Sequence, residues 1–378
     1  MVDLALTESQ LELQGVARRF LRSHAEATDA PAPAGPAGQP PGQGGGTPPL
    51  WREMGALGWL GLTIPSAHGG VGASAVDAGA LYSELGRGPL AGPLFESAVL
   101  SPAIMLAADP AGAVFSSALA AIADGEMIVA PVLSATSAPP IAIDHVELEL
   151  SGDRVRGRAG PVRHADRASA YLVLARTASP DGALACALVD ASGQSVAARE
   201  LPGFAPGQFE VEFRDAAVVG TPVPLGGAGL AAVAAAVVGA LPVLCAFQVG
   251  SCQAVLDMTV AYSGDRMAFG KPIGTFQRVQ DHVIEIVNAL DSARWTTYHA
   301  LWLSDTGGGA VAASHVAKAV TSEAHASACT HSHEVHAGIG TDLQYGLAVH
   351  THLARTLYGY YGDPSWHRDR LADELGFG

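Results

Sequence analysis

Between Ala216 and Leu256 the chain carries no charged side chain, and Leu230 to Val249 is almost entirely Ala, Val and Leu. Such a run must leave water, either for a bilayer or for a protein core. About 20 apolar residues suffice to span a membrane. Small residues dominate here, however, Pro242 interrupts the run, and neither end carries a basic cluster or an aromatic belt. The segment reads as the central helix of a large helical domain, not as a membrane span. Composition agrees, because 49% hydrophobic and 15% charged residues describe a chain that buries a large core.

A net charge of −15 argues against a nucleic-acid partner, which requires clustered Lys and Arg to neutralise phosphates. Cys186, Cys245, Cys252 and Cys329 are too few and too scattered for a disulfide framework or a zinc site. Asp3 and Glu8 stand where a signal peptide needs a basic and then an apolar run. A reduced, cytoplasmic protein is expected.

The 378 residues allow two or three domains. Thr7-Glu8-Ser9-Gln10 forms a capping box, and Leu11, Leu13, Val16, Ala17, Phe20 and Leu21 follow at helical spacing. Residues 30–49 are nearly all Pro, Gly, Ala and Gln, the composition of a mobile surface loop. Helical signals return at Leu50–Leu62 and Ala73–Leu85 and reach about Ala123. From Met127 the pattern changes to short β-rich runs at 128–133, 145–150, 154–157, 171–175, 185–188 and 208–213, separated by Gly, Pro, Ser and Asp. After Pro224 long helical segments resume. The fold class is α+β, mostly α: an N-terminal helical domain (1–124), a middle antiparallel, barrel-like β domain (125–222) and a C-terminal helical bundle (223–378).

Four blocks in that order resemble the acyl-CoA dehydrogenase family over more than 300 residues of the chain. LWREMGALGWLGLTIPSAHGGVGAS is similar to the family's N-terminal signature, and SELGRGPLAGP to the segment after it. AVLDMTVAYSGDRMAFGKPIGTFQRVQ resembles the central motif, with Asp, Tyr, Arg, Phe-Gly, Pro-Ile and Phe-Gln in step. HEVHAGIGTDLQYGLAVHTHLARTL resembles the C-terminal glycine-rich segment and its trailing helix.

The resemblance implies FAD and a four-helix bundle in the C-terminal domain. It places Arg266, a planar fork of donors, on the pyrophosphate, Phe269 against a flat ring, Phe276 and Gln277 on the adenosine part, and Gly338 where backbone approaches a phosphate. In the family these groups reach across to a flavin whose ring sits in a neighbouring subunit. Taken alone, Arg266 also reads as an ordinary interhelix salt-bridge residue. Glu334 stands where relatives carry a glutamine near the pyrophosphate, Ala337 replaces the first glycine of a Gly-Gly pair, and Gln344 replaces a common Glu.

The family's chemistry needs a carboxylate base whose pKa is raised in the apolar acyl pocket. The two positions that supply it in relatives correspond here to Ala240 and Tyr361, and neither accepts a proton at neutral pH. The Thr-Glu-Pro…Gly-Ser-Asp strand that holds the flavin ring is also missing; Ser134, Thr136 and Ser137 offer hydroxyls without that spacing.

These absences imply the glutamate-less subunit of a heteromeric α2β2 acyl-CoA dehydrogenase, inactive alone. Its partners are a Glu-bearing subunit that shares the FAD, the acyl-CoA it dehydrogenates (a bulky or steroid side chain) and an electron-transfer flavoprotein. Two alternatives stay open. One is a homo-oligomer with non-redox chemistry, elimination or cyclisation, using His336, Tyr361 or Asp342; the other is a flavin-free scaffold. His325, His331, His333, His336, His350 and His352 lack metal-ligand spacing, and Asp342 and Asp363 suit turns and caps.

Overall fold

The computed structural model describes residues 5–24, 49–90, 92–133, 145–178, 182–202, 207–342 and 344–377. Helix α1 (Glu8–Ser23) begins at the expected capping box: Thr7 Oγ1 accepts from the Gln10 amide at 3.3 Å, and Gln10 Oε1 accepts from the Thr7 amide at 2.9 Å. After it come α2 (Pro49–Ala56), α3 (Ala75–Arg87), a π-helical turn (Glu96–Leu100), α4 (Ser101–Ala108) and α5 (Ser116–Ala123). The proposed loop at 30–49 lies outside the described residues apart from Pro49, which starts α2 because a missing amide costs nothing at a first helical position.

Seven strands follow: β1 (Val129–Val132), β2 (Glu149–Ser151), β3 (Arg154–Arg163), β4 (Ala170–Thr177), β5 (Leu184–Asp190), β6 (Val196–Glu200) and β7 (Gln208–Leu225). They form one sheet in which the pairing of β4 with β5 closes β4–β2–β3–β7–β5 into a ring. β1 adds to β4 and β6 to β7. Most pairings are antiparallel as expected, but β1 and β2 both run parallel to β4, at opposite ends of one edge. The long excursion through the β2–β3 hairpin supplies the crossover that a parallel pair requires. Strand β6 escapes sequence reading because VAARE lacks apolar alternation. Strand β7 outruns its expected end at Phe213 because Ala216–Leu225 is so apolar that it merges with the helical run beyond.

The remaining elements are α6 (Gly227–Asp265), the two-residue strands β8 (Met267–Ala268) and β9 (Lys271–Pro272), α7 (Gln277–Thr306), α8 (Ala310–His336), α9 (Leu347–Tyr358) and α10 (Pro364–Glu374). By length and composition α6 could cross a membrane, but 61% of its most apolar stretch is buried inside the protein. It is the expected central helix.

The chain divides into two compact units, one of Met1–Ala32, Ser74–Ala91 and Leu241–Gly378, the other of Pro33–Ala73 and Gly92–Ala240. The second contains the sheet. In the first, Val255 of α6, Ile286 and Leu290 of α7, Ala328 of α8 and Ala354 of α9 share one buried core, which makes these four helices a bundle. Helix α3 packs on it so closely that a Cβ on Gly86 would sit 1.8 Å from the Phe247 carbonyl oxygen, and one on Gly250 1.7 Å from that of Ser83. Only glycine permits this crossing. From the far end of α7, Asp305 accepts the first amides of α3, Ala75 at 2.7 Å and Val76 at 3.1 Å, and so caps a helix 230 residues away.

Candidate functional site

The stretch DRMAFGKPIGTFQ leaves the end of α6 and re-enters the bundle at α7. Strands β8 and β9 pair across a two-residue turn in which Phe269 (φ 50°) and Gly270 (φ 79°) both take left-handed backbone, the requirement of a tight hairpin. Glycine meets it freely; phenylalanine pays about 1–2 kcal/mol. The Phe269 ring gains almost no burial in return, since it is 97% exposed. Its one aromatic neighbour among the described residues is Phe276, edge-on at 6.1 Å, and Lys271 Nζ lies 4.5 Å above the Phe276 ring. The backbone strain at the hairpin tip is thus not offset by burial of the ring within the described residues.

The base of the hairpin is fixed. The Arg266 amide donates to the Tyr262 carbonyl at 2.9 Å, and the Ile273 amide to the Arg266 carbonyl at 2.8 Å. Gln280 Nε2 ties the loop back through the Gly274 carbonyl at 3.0 Å. Phe276 is the N-cap residue of α7 and Gln277 its first residue, exposed beside the hairpin. The exposed Arg266 guanidinium makes no hydrogen bond or ion pair among the described residues, so it does not serve as the interhelix salt bridge its sequence alone would allow. Arg266, Phe269, Phe276 and Gln277 thus form one presented surface.

Glu334 and Gly338 lie elsewhere, near the end of α8 and in the short helical turn Ala337–Thr341, both exposed. A Cβ on Gly338 would meet nothing within 4 Å, so internal packing does not demand glycine there. Its neighbour Ala337 is strained, with φ 53° and ψ −134°, a conformation that suits glycine. The two groups are joined by Tyr262, whose ring stacks on His336 at 4.6 Å while its carbonyl anchors Arg266. Tyr345 closes the cluster at 5.3 Å from His336.

His336 is buried, and its Nδ1 lies 2.9 Å from the Ser332 carbonyl. A carbonyl only accepts, so the proton sits on Nδ1 and Nε2 keeps its lone pair. Burial lowers the His336 pKa. Asp342 and Asp363 behave as turn and cap residues, accepting from the Gln344 amide at 2.9 Å and the Trp366 amide at 2.8 Å.

At the two positions where the sequence resemblance would place a base, Ala240 and Tyr361, the side chains are buried. Ala240 lies in α6. Tyr361 follows α9 with φ 58°, its hydroxyl 3.0 Å from that of Tyr360. Sequence reading missed what holds this turn. Lys318, fully buried on α8, has three N–H donors and four acceptors within reach: the carbonyls of Leu357 (3.0 Å), Tyr358 (3.3 Å) and Gly362 (3.2 Å) and Ser322 Oγ (2.7 Å). Burial pulls its pKa down to about 8. The cation takes the place of a glycine cap, satisfying the carbonyls that end α9. His367 Nε2 donates to the Tyr361 carbonyl at 2.9 Å, which leaves its Nδ1 to accept from His315 Nδ1 at 2.8 Å. No sequence spacing announces the Lys318–carbonyl and His315–His367 pairings, because they join residues 39 to 52 positions apart.

Two other histidines prove internal. Ser251 Oγ lies 2.7 Å from both His325 Nε2 and His350 Nδ1 in the bundle core. Ser134, Thr136 and Ser137 lie outside the described residues; the strand before them, β1, is buried along its whole length.

A helical–β–helical chain with a four-helix bundle and an exposed hairpin at the head of its second bundle helix defines a class, and the comparisons identify it. Profiles described as acyl-CoA dehydrogenase N-terminal domain and C-terminal domain match residues 7–113 and 227–376. The chain belongs to the acyl-CoA dehydrogenase family. It is 34% identical over 104 residues to the probable acyl-CoA dehydrogenase YngJ of Bacillus subtilis, a match spanning 28% of this chain and only 27% of that relative. It is 28% identical to acyl-CoA dehydrogenase FadE12 of Mycobacterium tuberculosis over 82% of this chain and 83% of the relative. Among solved structures, a chain of the ChsE4–ChsE5 complex from Mycobacterium tuberculosis superposes over the full length of both chains with a TM-score of 0.81 at 23% identity, a likeness of fold.

Proposed function

We propose that this chain is the glutamate-less subunit of an FAD-dependent acyl-CoA dehydrogenase and lends its hairpin arm to a flavin shared with a Glu-bearing partner. One observation carries the reading. Arg266 is unpaired among the described residues and Phe269 is 97% exposed on a strained turn, while the positions expected to hold a base contain buried Ala240 and Tyr361.

The residues fit the ADP half of the cofactor. Arg266 holds the pyrophosphate through its fork of donors, Phe269 packs on the flat adenine, Phe276 and Gln277 line the adenosine, and Gly338 leaves room for backbone to meet phosphate. Glu334 is the poor fit, since a carboxylate beside phosphate is favourable only when paired or protonated. When bound, FAD would supply the hydride acceptor for α,β-dehydrogenation of an acyl-CoA, with the base coming from the Glu-bearing partner and an electron-transfer flavoprotein as the expected acceptor. This chain grips and orients; its Tyr360–Tyr361 turn, held by Lys318, carries no base. An acyl group as bulky as a steroid side chain is the substrate class we favour, in keeping with a solved structure of the same fold described as a steroid ACAD.

The test is expression of the chain alone and with a Glu-bearing homologue encoded beside it. Flavin and acyl-CoA oxidation should appear on co-expression only. Arg266→Ala should weaken flavin retention about 10- to 100-fold, the loss of a charge-assisted bidentate contact. A lone chain that is yellow and oxidises acyl-CoA overturns the proposal. Flavin-free protein under both conditions points to a scaffold, and turnover without flavin to elimination or cyclisation.

A further inference from the structure

Away from the hairpin, the helical unit contains a second concave site. Helices α1, α3, α6 and α7 converge beside the glycine crossing and enclose a cleft of about 360 Å³. Its walls carry three arginines, Arg18, Arg87 and Arg294, against one carboxylate, Glu84, with Trp295 and Tyr298 as aromatic surfaces. The wall itself is therefore richer in guanidinium than in carboxylate groups, although Asp257 and Asp291 pair with Arg87 and Arg294 from outside it.

The arginines are held from behind. Glu84 is buried, at 6% exposure, with Oε2 at 3.2 Å from Arg18 Nε; burial raises its pKa against the pull of Arg18 and Arg87. Arg87 pairs with Asp257, and Gln253 links the two sides by donating to Asp257 at 2.8 Å and accepting from Arg294 Nη2 at 2.7 Å. Arg294 Nη1 also donates to Asp291 at 3.0 Å. Asp257 and Asp291 are not part of the cleft wall. Each guanidinium has five N–H donors, and these bonds leave donors over on all three. Three oriented forks beside an exposed indole are the features of an anion site with an apolar wall.

We infer that this cleft binds a small organic anion, a planar or apolar body bearing one carboxylate or phosphate group. The anionic group engages Arg294, Arg87 and Arg18, and the body lies against Trp295. The site is independent of the flavin arm, so its test does not depend on the subunit reading.

Isothermal titration of the full chain with benzoate, phenyl phosphate and inorganic phosphate reads it directly. At least one aromatic probe should bind saturably with a Kd of about 1 mM or tighter and shift tryptophan fluorescence. Arg294→Ala should weaken binding about 10-fold or more. Trp295→Phe should abolish the fluorescence response while titration heat persists. If Arg294→Ala lowers the melting temperature, Arg294→Gln, which keeps the stem, carries the same expectation. Preference for phenyl phosphate over benzoate assigns a phosphate ligand, and the reverse a carboxylate. The inference is overturned if neither aromatic probe saturates, if inorganic phosphate binds as well as phenyl phosphate, or if both Arg294 variants match wild type.

Discussion

Ser251→Ala tests how the bundle holds the elements that carry the arm. The Ser251 hydroxyl lies 2.7 Å from His325 Nε2 and 2.7 Å from His350 Nδ1, and all three residues are buried. One hydroxyl donates once, so one imidazole accepts its proton and the other donates N–H to its oxygen. Alanine removes both bonds and strands one donor and one acceptor in the core, while the void is too small to repack. Each stranded group costs about 1–3 kcal/mol, so the expected loss is about 2–6 kcal/mol. That is a large share of a typical stability of about 5–15 kcal/mol. Urea unfolding should show the midpoint falling with its slope unchanged. His350→Phe in the same background should add less than it does in wild type, because the two variants delete one shared network. A loss below about 1 kcal/mol, or full additivity of the pair, would refute the relay.

Two further outcomes follow from the same structure. Burial drops the pKa of His325 and His367 to about 3 and of His315 and His350 to about 4. The unfolded chain protonates near pH 6.5 and the folded one does not, so their contribution is complete above pH 6.5 and is lost as pH falls toward 4. The penalty reaches at most about 2 kcal/mol per imidazole at pH 5, and stability that stays flat between about pH 7 and 4.5 contradicts it. Phe269→Gly should raise thermal stability by about 1 kcal/mol, since glycine accepts φ 50° and the ring buries almost nothing. The same change should weaken flavin retention in the co-expressed complex; a variant that is less stable yet binds flavin normally disproves both halves.

Much of this was legible in the linear chain because the signals are local. The Thr7 capping box needs only residues three apart, and the charge-free run after Ala216 admits few destinations. The motif from Asp265 to Gln277 encodes a hairpin whose geometry rests on adjacent Phe269 and Gly270. Side-chain identity is also local: Ala240 and Tyr361 cannot become carboxylates by folding. Tertiary structure alone decided which charges are spent internally. Lys318 and Arg266 look alike as isolated cations, yet Lys318 is sealed under the end of α9 while Arg266, at the base of an exposed hairpin, pairs with none of the described residues. Gly86 and Gly250 bring α3 onto α6, Asp305 caps a helix from across the chain, and Ser251 gathers two histidines from other helices. Such pairings depend on helix crossings set by packing over the whole core, and one residue's neighbours in sequence contain no record of them.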